Sequence, residues 1–294
     1  MWYVHFSWKS ISAVLAVFSL SCAGRQIAIM DRPLPTVTPP ANAATLTKDA
    51  ETLWAQRSDR QKAQLALDAY KRAFAANPNR EVGTKLTQAY YFAGYYVETE
   101  PDSQAAYFLR GAETGERVLS LNNDFRMKYL KTKDDRRALD VLEASWAATI
   151  YWTAANLEQW TNAQGWRVRY GNKGRVEVYM TRVRELDPNF YFGAVWRYFG
   201  VLPTQGRAPF VDIDNAKTQF EKAIAVAADF LANKRLYAET YAVKKKDRAL
   251  FKKLLDEVAA VNPKQAEKFA PENKYEQERA RALLAKIDEY FSKK

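Results

Sequence analysis

The stretch Ala66-Leu67-Asp68-Ala69-Tyr70-Lys71-Arg72-Ala73-Phe74-Ala75-Ala76-Asn77-Pro78 carries the reading of the fold. Ala66, Tyr70 and Ala73 are four and three residues apart, which sets them on one helix face, and Pro78 falls five residues later, where the helix has to stop. The same offsets return as Val176, Met180, Val183 and Pro188, and again as Phe251, Leu255, Val258 and Pro263. Degenerate copies read Gly111, Gly115, Val118, Asn123 and Ala216, Phe220, Ala223, Ala228. Outside these copies, apolar residues keep helical spacing from about Thr47 onward, and no two-residue alternation appears. About eleven helices are expected, in an all-α chain.

Small residues on one helix face with a proline just past its end resemble the second helix of the tetratricopeptide repeat. The fold expected is an irregular TPR-like α-solenoid of about five helix pairs with a C-terminal capping helix, spanning 47–294. The bland alternative is an irregular helical bundle whose three-four spacing is core periodicity alone. The last residues of the copies lie 45, 65, 40 and 35 apart, against a repeat norm of about 34. Most of the extra length falls between Asn123 and Pro188, where one long helix is expected from about Asp134 to Thr161.

The chain has 294 residues, 48% of them hydrophobic and 27% charged, with one histidine, His5, and one cysteine, Cys22. Both precede residue 23, in a stretch that reads as an export signal. Lys9 is followed by an apolar run from Ile11 to Leu20, long enough for a signal core and too short for a span of about 20 residues. Ser19-Leu20-Ser21-Cys22-Ala23-Gly24 resembles a bacterial lipobox, with Leu20 one place later than usual. The expectation is a signal peptide over 1–21, lipidation at Cys22 and a proline-rich tether over 22–46. A soluble periplasmic protein cut near Ser21 or Ala23 is the alternative. Without histidine or a second cysteine, the exported chain has no intramolecular disulfide, Cys/His zinc site or histidine-based triad. The full sequence has a net charge of +11, which becomes +10 once residues 1–21 with Lys9 are removed, and export argues against nucleic acid as the partner.

The segment Asn189-Phe190-Tyr191-Phe192-Gly193-Ala194-Val195-Trp196-Arg197-Tyr198-Phe199-Gly200-Val201-Leu202-Pro203, its polar loop to Asp214, the helix Ala216 to Ala228 and the closing run from Pro271-Glu272-Asn273 to Phe291 resemble the T component of TRAP transporters, the TatT-type family of helical periplasmic lipoproteins. The resemblance implies a non-enzymatic scaffold without a cofactor. Its implied partner is a periplasmic solute-binding protein, and it allows for a homo-oligomer with ligand-accessible cavities. An envelope-assembly scaffold for outer-membrane or cell-wall machinery is the alternative function, and carriage of an apolar ligand is a third.

Aromatic residues make up 14% of the chain and come in clusters. Neighbours on a helix point about 100° apart, so clustered rings cannot all face one core. Trp152, Trp166, Trp196 and Tyr198, with Arg207 from the polar loop, are the expected ligand or partner contacts. Arg167, Arg169, Lys173 and Arg175 form a basic connection suited to an anion, an acidic partner or plain solvation. The chain has no Gly-x-Ser-x-Gly elbow, phosphate-binding loop or dinucleotide fingerprint, and no glutamate followed by serine of the kind carried by peptidoglycan-cleaving transglycosylases.

Overall fold

A computed structural model describes residues 34, 37–205, 212–262 and 267–292. All regular structure among them is helical. The chain runs through α1 (Ala43–Ala55), α2 (Arg60–Ala76), α3 (Arg80–Phe92), α4 (Pro101–Leu119), α5 (Asn123–Thr132), α6 (Asp135–Leu139), α7 (Ala147–Ala163), α8 (Trp166–Leu186), α9 (Phe190–Thr204) and α10 (Ile213–Val226). It ends with α11 (Ala232–Leu236), α12 (Val243–Lys245), α13 (Arg248–Ala260), α14 (Ala270–Ala285) and α15 (Ile287–Phe291). Starts are set by short polar side chains: Asp59, Asn79, Asn122, Asp134, Asp212 and Asp247 each accept a backbone N–H from the first turn of the helix they precede. Each such cap stabilises its helix by about 1 kcal/mol.

The five recurring faces lie on α2, α4, α8, α10 and α13, and all fifteen of their helical residues are buried. They pack against the helix before or after in the chain, as in α1 with α2, α3 with α4, α7 with α8 and α9 with α10. The glycine copy has a visible reason. A Cβ on Gly115 would stand 2.1 Å from Thr153 Oγ1 and 3.1 Å from Thr153 Cα, so α4 and α7 approach too closely for any side chain there.

The long helix expected from Asp134 to Thr161 is broken. Asp134 caps the five-residue α6, a 3-10 turn covers Ala144–Trp146, and α7 starts only at Ala147. Arg182 of α8 donates to the carbonyls of Asp140 and Leu142 at 3.3 and 2.7 Å, satisfying two acceptors that a continuous helix would have used internally. The capping helix differs as well. Tyr275 of α14 belongs to the core built by α1 to α3, while Ala280 and Leu283 of the same helix belong to the core of α10 to α13. α14 therefore joins the last helices to the first rather than covering the final pair alone. Helix α1 begins within the stretch expected as tether, and Leu34 packs on the first core. Cys22 and the rest of the export segment lie outside the described residues, as does Pro263. No helix among the described residues is long and apolar enough to cross a membrane.

Candidate functional site

Helices α3, α7, α9, α11 and α14 surround a cavity of about 120 Å³ that opens to solvent. The α3 wall owes its shape to a π turn at Ala93–Val97, closed by the Glu98 N–H to the Ala93 carbonyl at 2.8 Å. One extra residue in the turn shifts the helical phase, a device common at functional sites. Tyr91 and Tyr95 stack there with centroids 5.2 Å apart, Trp152 of α7 meets Tyr91 at 5.3 Å, and Tyr191 of α9 stands edge-on to Trp152 at 4.7 Å.

Tyr191 reaches this place through unusual backbone. Tyr191, Phe192 and Gly193 all have positive φ, at 41°, 62° and 80°. Left-handed backbone at two aromatic residues is costly and survives only when its surroundings hold it. Arg197, one turn later, supplies the clamp. Its Nη1 donates to the Phe192 carbonyl at 2.7 Å and to Asn233 Oδ1 at 2.8 Å, and its Nη2 donates to the Tyr191 carbonyl at 3.1 Å. Asn233 Nδ2 also binds the Phe192 carbonyl, and the Tyr191 hydroxyl donates to Glu272 Oε1 at 3.0 Å. At Gly193 an added Cβ would lie 3.0 Å from Ala223 Cα, so the turn also depends on close packing against α10.

The cavity's far wall is ionic. Arg235, 1% exposed, pairs with Glu276, itself fully buried, and with Glu239. The Tyr95 hydroxyl accepts from Arg235 at 3.0 Å, and the Tyr96 hydroxyl donates to Glu276 Oε1 at 2.8 Å. Arg279 lies over the Tyr95 ring at 4.0 Å. Burial pushes the Glu276 carboxyl up, but Arg235, Arg279 and the hydrogen bonds from Arg235 and Tyr96 together hold it below the usual carboxylate range. Burial and the Glu276 charge push the Tyr96 hydroxyl well above its ordinary value, so it remains a donor.

Glu158, at the C-terminal end of α7, behaves oppositely. Its carboxylate has no hydrogen bond or ion pair among the described residues. Burial drives its pKa up to about 7, opposed only by the Arg169 charge.

Of the residues singled out from sequence, Trp152 and Tyr198 line this cavity, 3% and 6% exposed. Trp196 does not: it packs half-buried on the central core with Lys222 over its ring at 4.9 Å. Consecutive helical positions diverge, so neighbouring Trp196 and Arg197 face different surroundings. Trp166 is also outside, 73% exposed at the first position of α8, just past the positive-φ turn at Gly165. Arg207 lies outside the described residues. Sequence reasoning missed Arg197, Glu158, Arg235 and Glu276. A signal existed for one of them, since Arg197 is the only charged residue between Asn189 and Thr204. The Glu272-Asn273 pair of the closing run also gains a role. Glu272 binds Arg57 and Tyr191, and Asn273 bridges the Leu231 N–H and the Asp229 carbonyl.

Fold and site together define a helical protein built around an internal aromatic cavity, with no cluster of metal-ligating side chains among the described residues. Residues 98–291 match the model of the TRAP transporter T-component family, and the chain belongs to that family. It is thus an accessory component of a TRAP transport system. No curated protein matches it.

Proposed function

We propose that this chain is the periplasmic, lipid-anchored scaffold of a TRAP-type uptake system, which docks a solute-binding protein and receives a ligand in its aromatic cavity. The observation that carries the reading is the family match over α4 to α15, which places the chain in a transport system. A cavity with tryptophan and tyrosine walls and a few convergent polar groups is the kind of site that holds a small molecule. Sequential pairing of helices, with the recurring faces on second helices, supports a TPR-like array, here joined end to end by α14. Lipid attachment at Cys22 would act by mass action, holding the domain near a membrane and raising the local concentration of its partner. Cys22→Ala should abolish incorporation of labelled fatty acid, and an unlabelled wild-type protein would remove the anchor from this account.

The direct test is capture. Immobilised residues 42–294 are exposed to native periplasmic extract, washed at low salt, and the retained proteins are identified by mass spectrometry. Retention of a periplasmic solute-binding protein supports the proposal. Retention of outer-membrane or cell-wall assembly proteins alone replaces it with the envelope scaffold.

A further inference from the structure

Two arginines are buried among the described residues, Arg235 and Arg197. Arg235 has two carboxylates, Glu276 and Glu239. Arg197, 6% exposed, has none. Its partners are two backbone carbonyls and an amide oxygen, all neutral, and they use both hydrogens of Nη1 and one of Nη2. The one further group that meets the guanidinium is the Tyr151 hydroxyl, a neutral acceptor that an incoming carboxylate would displace, so no carboxylate reaches Arg197 among the described residues. In any arginine the Nε hydrogen and one Nη2 hydrogen lie side by side on one edge of the guanidinium, the edge that meets both oxygens of a carboxylate. Arg197 lines the cavity, and the Tyr151 hydroxyl stands near enough for the guanidinium to pull down a pKa that burial pushes up. A buried charge without a counter-ion is expensive, and a site that keeps one open to a cavity is suited to an anion brought from outside.

We propose that the cavity binds a small aromatic monocarboxylate, its carboxylate on the Nε–Nη2 edge of Arg197 and its ring among Tyr151, Trp152 and Tyr191. The proposal rests on the reading that the cavity receives a ligand, but not on partner docking. The ring is specified by the walls, whose aromatic centroids already sit at edge-on distance. A single negative charge is specified by what remains in the cavity, since Glu158 and Glu276 would both oppose a second. Two parallel donors also fit a planar carboxylate better than a phosphate, which needs more donors for its charge.

Glu158 makes the binding sensitive to pH. The groups that bear on it are Tyr91 of α3, Tyr151 of its own helix, Arg169 of α8 and Tyr198 of α9. Glu158 itself titrates near neutrality, with its pKa raised to about 7 by burial. As pH rises from 6 to 8 it gains a negative charge that disfavours an anionic ligand.

The test is calorimetric titration of the wild-type protein with phenylacetate, 2-phenylethanol and succinate. Phenylacetate is expected to bind at least about tenfold tighter than the other two, with affinity falling between pH 6 and 8. Glu158→Gln should flatten that pH dependence, and Arg197→Gln should remove the preference for phenylacetate over 2-phenylethanol. Because Arg197 also holds the Tyr191–Gly193 turn, the wild-type selectivity and the Glu158→Gln profile decide the matter if that variant does not fold. Equal binding of phenylacetate and 2-phenylethanol, tighter binding of succinate, or binding of none of the three overturns the proposal. Failure to retain a solute-binding protein would instead count against docking and leave this result standing.

Discussion

At the scale of single residues, Glu158, half-buried, and Glu276, fully buried, are two carboxyls lining one cavity with opposite electrostatics. Among the described residues Glu158 has no hydrogen bond or ion pair to its carboxylate, and it holds its proton to about pH 7, whereas an unfolded glutamate releases it near 4.5. Its protonated form is the one that folding favours, so its contribution is present at low pH and lost as pH rises across that window. Glu158→Gln is therefore expected to be more stable than wild type by about 1–2 kcal/mol at pH 8 and nearly equal at pH 4.5, read by urea unfolding. A variant no more stable at pH 8 would mean that the carboxyl is solvated. Glu276 has its pKa lowered by Arg235 and Arg279, so its contribution is present above the ordinary carboxylate range and fades as pH falls.

At the scale of elements, two devices hold the array together. The first is close approach. Gly115→Ala would drive a methyl into Thr153, and because Thr153 Cα is itself only 3.1 Å away, the helices must separate. A loss of about 1–3 kcal/mol is expected, measured by denaturant unfolding, whereas a neutral result would show that α4 and α7 yield easily. The second is the return of α14 to the first hairpin through Arg57–Glu272, Arg60–Glu278 and the Glu276 network with Tyr96. Arg60–Glu278 is exposed and worth little, while Glu276 is fully buried. Glu276→Gln leaves Arg235 with the half-exposed Glu239 alone, and a loss of about 3–5 kcal/mol is expected. Hydrogen exchange should then show faster exchange in α14 and the α3 π turn, and unchanged exchange in both would show that the apolar seam of Tyr275 suffices.

At the scale of the molecule, the net charge of +11 bears on encounter rather than fold. It favours an acidic partner, so capture of the solute-binding protein should weaken several-fold between about 0.05 and 0.3 M salt, with most of the change in association rate. Salt-independent association would exclude steering. The corner formed by Trp166, Arg167 and Tyr170, with both aromatics more than 70% exposed, contributes to this basic surface and not to the cavity.

The helical class, the five buried faces and the glycine approach are legible in the chain because they depend on spacings of three and four residues, which a helix converts directly into a face. Trp152 and Tyr198 were within reach for a different reason, since clustered rings about 100° apart on a helix cannot all face one core. The cavity's polar groups were not. Tyr96 meets Glu276 across 180 positions and Arg57 meets Glu272 across 215, and no local period encodes such pairs. The turn at Tyr191–Gly193 likewise breaks the helical pattern that its apolar residues suggest, because Arg197, Asn233 and Glu272 outweigh local preference. Sequence alone determined which faces are buried. Only the tertiary structure decided that α14 closes the array, and that one arginine inside it has no counter-ion among the described residues, because both follow from long-range packing rather than from neighbours in the chain.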